Sequence, residues 1–150
     1  MSYTDIIQTV AIVITLVAFI VTQYLNRKST HANSFVRINE EYNRLVTYRL
    51  ECPEVMEVAR NWSTGCLDQV AGSPNLTRYY NYGELCVGFC DTCLYHKNKN
   101  LITKDDLNNY YSGLMNLVAT ENKAFFEDIA NGKYCSLEFK KWFSAWKKNH

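Results

Sequence analysis

Proline and glycine are scarce, at 2 and 6 of 150 residues, which excludes a collagen-like chain and a Pro/Gly-rich disordered one. Charge of one sign is lacking as well. Sixteen Lys and Arg against 15 Asp and Glu leave +1, so nothing in the overall charge points to nucleic acid as a partner. The histidines are three, His31, His96 and His150, and no G-x-S-x-G, P-loop or H-E-x-x-H motif occurs. Acidic residues are scattered, with no E-x-x-H pair for a di-metal bundle. The acid, base and nucleophile arrangements of enzymes are therefore missing, and the expectation is a protein that is not an enzyme and uses no cofactor or metal. No alternating run of branched residues is bounded by a hairpin turn, so strand signals are missing too. At 150 residues the chain suits one domain and is too short for a TIM barrel, which needs about 250.

What the chain does have is a long apolar run. Ile6 to Asn26 contains no charged residue, and a bilayer core needs about 20 such residues as helix. A cleaved signal peptide would want a basic start, a shorter apolar core and a small-residue cleavage site. Met1 to Asp5 has no Lys or Arg, and Gln23-Tyr24-Leu25-Asn26-Arg27 follows the run instead of an A-x-A pattern. The reading is a retained, single-pass transmembrane helix in the cell membrane. Arg27 and Lys28 come directly after it and Arg37 follows, so the N-terminus faces out and the rest is cytoplasmic. Residues 1–28 form the anchor and residues 29–150 a cytoplasmic α-helical domain. No linker separates them, so the first domain helix can continue the anchor. The lipid bilayer is the first expected partner.

Six cysteines, Cys52, Cys66, Cys86, Cys90, Cys93 and Cys135, are scattered and would stay as thiols in a reducing cytoplasm. The sequons Asn61-Trp62-Ser63 and Asn75-Leu76-Thr77 are as many as the roughly two that chance supplies, and carry no weight for a lumenal domain.

The remaining pattern is helical, and the fold class expected is an all-α bundle of about five to six helices behind the anchor. His31 to Cys52 places Phe35, Ile38, Tyr42, Leu45 and Val46 on one face. Pro53 stops that helix or opens the next, which reaches Trp62. A loop covers residues 63–74. Asn75 to Lys97 reads as a long central helix whose apolar positions include Tyr79, Tyr82, Leu85, Cys86, Phe89, Cys90, Cys93 and Leu94. Thr103 and Asp106 form a capping-box-like pair before a helix carrying Leu107, Tyr110, Tyr111, Leu114, Met115 and Val118. Asn122 to Ala130 is shorter, ended by Asn131-Gly132. Ser136 caps the last helix.

Two patterns imitate metal chemistry. Cys86-x3-Cys90-x2-Cys93 has radical S-adenosylmethionine spacing, and His96 would complete a zinc-like set. Along a helix Cys86 and Cys93 stand about 10 Å apart, so such a row cannot surround one ion. The preferred reading is small apolar residues on a buried face. The segment from His96 to Asp106 faintly resembles a calcium loop, but Tyr95, Lys97 and Lys99 would fall where oxygen ligands belong.

Two stripes point to surfaces. Gln8, Ala11, Thr15, Ala18 and Thr22 recur every three or four residues along the anchor. Small residues let membrane helices approach closely, so this stripe is the candidate interface of a homo-oligomer. In the last helix Phe139, Trp142, Phe143 and Trp146 share a face beside Lys140, Lys141, Lys147 and Lys148. Either the aromatic face docks on the domain, or the helix returns to the anionic inner leaflet, with Trp142, Phe143, Trp146 and Lys147 as candidate membrane-surface contacts.

Three segments carry a resemblance. They are Tyr79-Tyr80-Asn81-Tyr82-Gly83-Glu84-Leu85, Asn100-Leu101-Ile102-Thr103-Lys104-Asp105-Asp106-Leu107 and Ser136-Leu137-Glu138-Phe139-Lys140-Lys141-Trp142. Over residues 30–146 the chain resembles small uncharacterised, mostly bacterial membrane-anchored proteins with one N-terminal helix and a cytoplasmic all-α domain. Their pattern has an aromatic-Asn-x-x-Glu helix, a Gly-Leu-Ile-Asp/Ser cap and a final Ser-Pro-Glu-Phe helix. Here Asn100 stands for the Gly and Leu137 for the Pro. The resemblance brings no catalytic residue and implies an interaction or assembly protein. In architecture alone the chain is similar to membrane accessory proteins of RNA-targeting CRISPR systems, which implies the alternative of an oligomeric, membrane-perturbing effector in phage defence. The Arg-x4–6-His motif of helical ribonuclease domains is not intact, since Arg27 and His31 are only four apart and lie beside the membrane.

Overall fold

The computed structural model describes residues 3–63, 72–131 and 135–150. Among these residues every regular element is helical. In chain order they are α1 (Tyr3–Glu51), α2 (Val55–Asn61), α3 (Pro74–Asn98), α4 (Lys104–Asp106), a π turn (Leu107–Tyr111), α5 (Ser112–Glu121), α6 (Lys123–Asn131) and α7 (Leu137–Asn149). The all-α class read from the sequence is the class observed.

α1 is one unbroken helix of 49 residues. Residues 26–30 contain neither Pro nor Gly, so nothing interrupts the hydrogen-bond ladder between apolar run and domain. The Thr30 hydroxyl donates back to the Asn26 carbonyl at 2.8 Å within this stretch. The first half stands clear of the bundle, with Ile12, Ile14, Phe19 and Ile20 all at least 60% exposed. Ile6 to Leu25 is about 30 Å of helix, long and apolar enough to cross a bilayer core of the same thickness. From His31 onward one face turns inward, with Ser34, Ile38 and Leu45 buried and Phe35, Tyr42 and Val46 packed beside them. Pro53 lies in the turn between α1 and α2, so it stops α1 rather than opening α2.

α3 is the central element and runs antiparallel to α1. Its Ser73 N-cap and Pro74 at the first position set its start. Tyr48 of α1 stacks on Tyr82, and Tyr42 packs on Phe89, with centroids 6.5 and 5.5 Å apart. The fully buried face of α3 carries Tyr79, Tyr82, Cys86, Phe89, Cys90 and Cys93. α3 ends in a left-handed turn. Asn100 has φ 54°, its N–H bonds the Lys97 carbonyl at 3.0 Å, and the Leu101 N–H bonds the His96 carbonyl at 2.8 Å. This pair of bonds is a Schellman motif, in which Asn is the residue that best replaces Gly.

The segment from α4 to α5 runs parallel to α1, held at both ends. His31 meets Asp106 at 3.0 Å and Arg49 meets Glu121 at 3.0 Å. The sequence pattern suggests one helix here. The π turn inserts one residue into it, with the Ser112 N–H reaching the Leu107 carbonyl. The loop expected at 63–74 and the stop at Gly132 fall largely outside the described residues.

α6 and α7 close the bundle. Phe126 of α6 meets Phe139 and Phe143 of α7 edge to face, and Lys147 pairs with Glu127 at 2.8 Å. Trp62, Tyr79 and Phe125 form a second aromatic cluster, where Trp62 Nε1 donates to Asp128 at 3.0 Å.

Candidate functional site

Gln8, Ala11, Thr15, Ala18 and Thr22 all lie on the exposed half of α1. At 100° per residue they fall within an arc of about 80°. The arc continues down the same helix through Asn26, Ser29, Asn33, Val36 and Glu40, each exposed. Its centre is about 140° around from Ser34, Ile38 and Leu45, which face the core. The stripe thus points away from the domain along the whole rod. Thr15 and Thr22 donate their hydroxyls to the carbonyls of Ala11 and Ala18, both at 2.8 Å. Their donors are already used inside the helix, and what remains on the stripe is mostly methyl groups and backbone.

The second candidate surface is corrected by the packing. Phe143 and Trp146 are 1% and 5% exposed, and Phe139 is fully buried. An aromatic ring inside the core has no face left for lipid. Trp142 is half-buried against the same core, and Lys147 is engaged with Glu127. The far end of α7 also lies far along α1 from the apolar run. Trp146 lies beside Lys123, two residues beyond the Glu121 that pairs with Arg49. Arg49 is about 36 Å down α1 from Leu25. The stripe in α7 is a docking face on the domain, and its burial removes Phe143 and Trp146 from the expected membrane-surface contacts.

Cys86, Cys90 and Cys93 are fully buried. Burial pushes all three thiols up, Cys93 to about 12, so they are neutral packing groups at ordinary pH. The Asn122 amide lies 3.7 Å from Cys86 Sγ. Among the described residues no three His, Cys, Asp or Glu side chains converge as a metal set would. Cys66 lies outside the described residues.

The end of the bundle nearest the apolar half of α1 is polar and tightly wired. Thr103 and Asp106 form a complete capping box, with the Thr103 N–H and hydroxyl both donating to Asp106 Oδ2, at 2.9 and 2.7 Å. The Asp106 N–H donates back to Thr103 Oγ1 at 3.0 Å. The Thr103 hydroxyl, then the Thr103 amide, hold the Asp106 carboxyl below its ordinary value, and His31 adds to this. One carboxylate therefore caps α4 and ties it to α1.

Beside it opens a cleft of about 550 Å³ between α1, the last turns of α3 and the start of α7. Arg37, Asp91, Tyr95, His96, Lys99 and Ser136 line it. Asp91 accepts from both the Ser136 hydroxyl and the Ser136 N–H, while Ser136 Oγ caps the Phe139 N–H at 3.0 Å. His96 is 6% exposed, and its Nδ1 has no hydrogen-bond partner among the described residues. Nothing in the local sequence pattern signals that these residues meet, because they come from three elements distant in the chain.

Comparison with protein-family models, with curated proteins and with solved structures finds no match to this chain. The function is therefore read from the geometry alone.

Proposed function

We propose that the chain is a single-pass anchor in the cell membrane, N-terminus outside, whose cytoplasmic helical domain serves interaction and assembly without catalysis or a cofactor. The observation that carries this reading is the continuity of α1. One helix supplies both a lipid-length apolar rod and a wall of the bundle, so the domain is held rigidly against the anchor. Arg27 and Lys28, directly after the apolar run, favour the domain being inside. The small-residue stripe faces away from the domain, so two copies can pack anchor to anchor without their bundles colliding. A homo-oligomer built on Gln8, Ala11, Thr15, Ala18 and Thr22 is the form this reading takes.

The orientation is tested with a membrane-impermeant maleimide on a Cys66→Ser chain. Intact cells leave all the remaining cysteines unmodified. Lysis in mild detergent exposes the half-buried Cys52 and Cys135, and Cys86, Cys90 and Cys93 react after denaturation. Labelling of Cys52 or Cys135 in intact cells reverses the orientation.

A further inference from the structure

Within the bundle, α1 divides into three sectors when its residues are placed at 100° intervals. Ser34, Ile38 and Leu45 face the core. The charges Arg37, Glu40, Glu41, Arg44 and Glu51 gather on one flank of it, and Arg49, the other charge of this stretch, is turned to Glu121. The third sector carries no charge: Ala32, Val36, Asn39, Asn43, Val46 and Leu50. All of these are exposed except the half-buried Val46, and the large apolar ones stand well out, Val36 at 56% and Leu50 at 76%. α5 borders this sector. The Tyr111 hydroxyl donates to Asn39 Oδ1 at 3.4 Å, and the exposed Tyr110 ring meets Phe35 with centroids 6.2 Å apart. Leu117, two turns on from Tyr110, is exposed on the same flank, and no charge occurs from Leu107 to Thr120. A helix face open to water normally carries charge, and a contiguous face without it marks a contact surface.

The spacing of the sector identifies what covers it. From Ala32 to Leu50 the steps alternate between four and three residues, the 3.5-residue repeat of a helix wound left-handed about another helix. The same alternation runs back without a slip through Ser29 and Leu25 into the small-residue stripe, as far as Gln8. On a lone straight helix such a repeat drifts by about 20° per heptad, which is why the stripe counted at 100° per residue wanders onto Glu40. Two helices that supercoil keep the whole seam in line. A partner that matches one repeat both along the apolar run and beside the bundle is another α1. We propose that α1 pairs with α1 of a second copy as one parallel, left-handed coiled coil that continues from the anchor into the domain, with α5 flanking it. The parallel orientation rests on the anchor reading, which sets both copies in one membrane facing the same way. Each seam residue then meets its own counterpart. Val36, Asn43 and Leu50 fall at a positions of the heptad, where a β-branched residue and a single Asn favour two strands in a fixed register. The core sector lies about 140° around α1 from the seam, so the two bundles sit outside the pair.

The test is disulfide crosslinking of the full chain in membranes. Cys52, Cys66 and Cys135 are first replaced by Ser, so that among the described residues only the buried thiols remain. Single cysteines are then introduced on the seam, Val36→Cys and Leu50→Cys, and on the charged flank, Arg44→Cys and Glu51→Cys. All four sites are exposed, so the fold is kept, and circular dichroism verifies it. Mild oxidation with copper phenanthroline is expected to give dimer at both seam positions about tenfold faster than on the flank. Dimer at both also fixes the orientation, since an antiparallel pair aligns at most one of them with itself. Val36→Glu, which sets two carboxylates against each other in the seam, slows crosslinking of the Leu50→Cys chain about tenfold, whereas Arg44→Gln leaves it unchanged. Ala18→Cys separates this inference from the anchor interface. Dimer at Ala18→Cys but at neither seam position overturns the coiled coil and leaves the anchor oligomer standing, and dimer at none of the three overturns both. Equal rates on seam and flank reduce the crosslinks to random collision and overturn the proposal.

Discussion

The Tyr79 hydroxyl donates to Asn122 Oδ1 at 3.0 Å, and both residues are buried. This bond joins α3 to the break between α5 and α6. Asn122 is also held by its own amide, which donates to the Val118 carbonyl at 2.9 Å, and its backbone carbonyl accepts the Phe126 N–H at 2.9 Å. A polar side chain at the corner of two helices is thus fully used, which is the condition for burying it. Burial accordingly keeps the Tyr79 phenol protonated, well above its ordinary value.

Replacing Asn122 with Leu leaves the Tyr79 hydroxyl unpaired inside the core. The expected loss is about 1–3 kcal/mol, the cost of one buried donor without a partner. Tyr79→Phe strands the Asn122 oxygen and costs a similar amount. The double variant loses less than the two single losses combined, because neither partner is then left alone. Thermal unfolding of the four proteins followed by circular dichroism measures this. Additive losses would mean that the bond contributes nothing.

Two glycines of α3 should respond in opposite directions. A Cβ built at Gly83 lies no farther than 2.7 Å from three ring carbons of Phe125, and Phe125 is locked between Trp62, Tyr79 and Tyr80. Gly83→Ala forces the ring aside and costs about 1–3 kcal/mol, more than the helix propensity of Ala returns. A Cβ at Gly88 meets nothing within 4 Å among the described residues. Gly88→Ala therefore stabilises by up to about 1 kcal/mol. The same unfolding measurement separates them, and equal shifts would contradict the close approach at Gly83.

Stability should fall on mild acidification, and His96 sets the direction. Burial first, and Arg37 second, hold its folded pKa below the ordinary 6.5. Between the two values the unfolded chain binds the proton more readily, so stability rises with pH through that window. It is full above pH 6.5 and declines as pH drops below it. His96→Gln flattens this part of the profile, which thermal midpoints from pH 5 to 8 will register. An unchanged slope in the variant would move the effect to another group.

Helix starts were the most legible feature of the chain. Ser136 and Thr103 each name their helix by a side chain that bonds the third amide, a local device that spacing alone reveals. The buried cysteine face of α3 was legible for a similar reason, since helical periodicity sorts residues by face. Asn100 in place of Gly was a departure on paper and is explained by its positive φ. The aromatic stripe of α7 was ambiguous because a core face and a lipid face use the same residues. Packing against Phe126 decided it. Gly83 gave no signal, as its reason is a ring 42 positions away. The cleft was illegible on the same ground: Arg37, His96 and Ser136 share no local pattern and meet only once α1, α3 and α7 are packed.

The continuity of α1 sharpens what self-association should require. In lipid the hydrophobic effect does not draw helices together, so close packing and polar contacts must do so. The hydroxyls of Thr15 and Thr22 are bound to their own helix. A hydrogen bond between membrane helices is worth only about 0.6 kcal/mol on average, so Gln8 alone is a weak tie. Backbone approach along Ala11 and Ala18 is left as the main term. Ala11→Leu with Ala18→Leu is expected to weaken self-association by about tenfold, or ~1.4 kcal/mol. Thr15→Val keeps the shape and changes little. Val13→Leu with Ile20→Leu, on the opposite side of the helix, serves as the control and leaves association intact. Crosslinking in membranes at a series of protein-to-lipid ratios reads all three. If the double-Leu stripe variant crosslinks as well as the parent chain, the anchors do not meet along this face, and any oligomer is held by the domain.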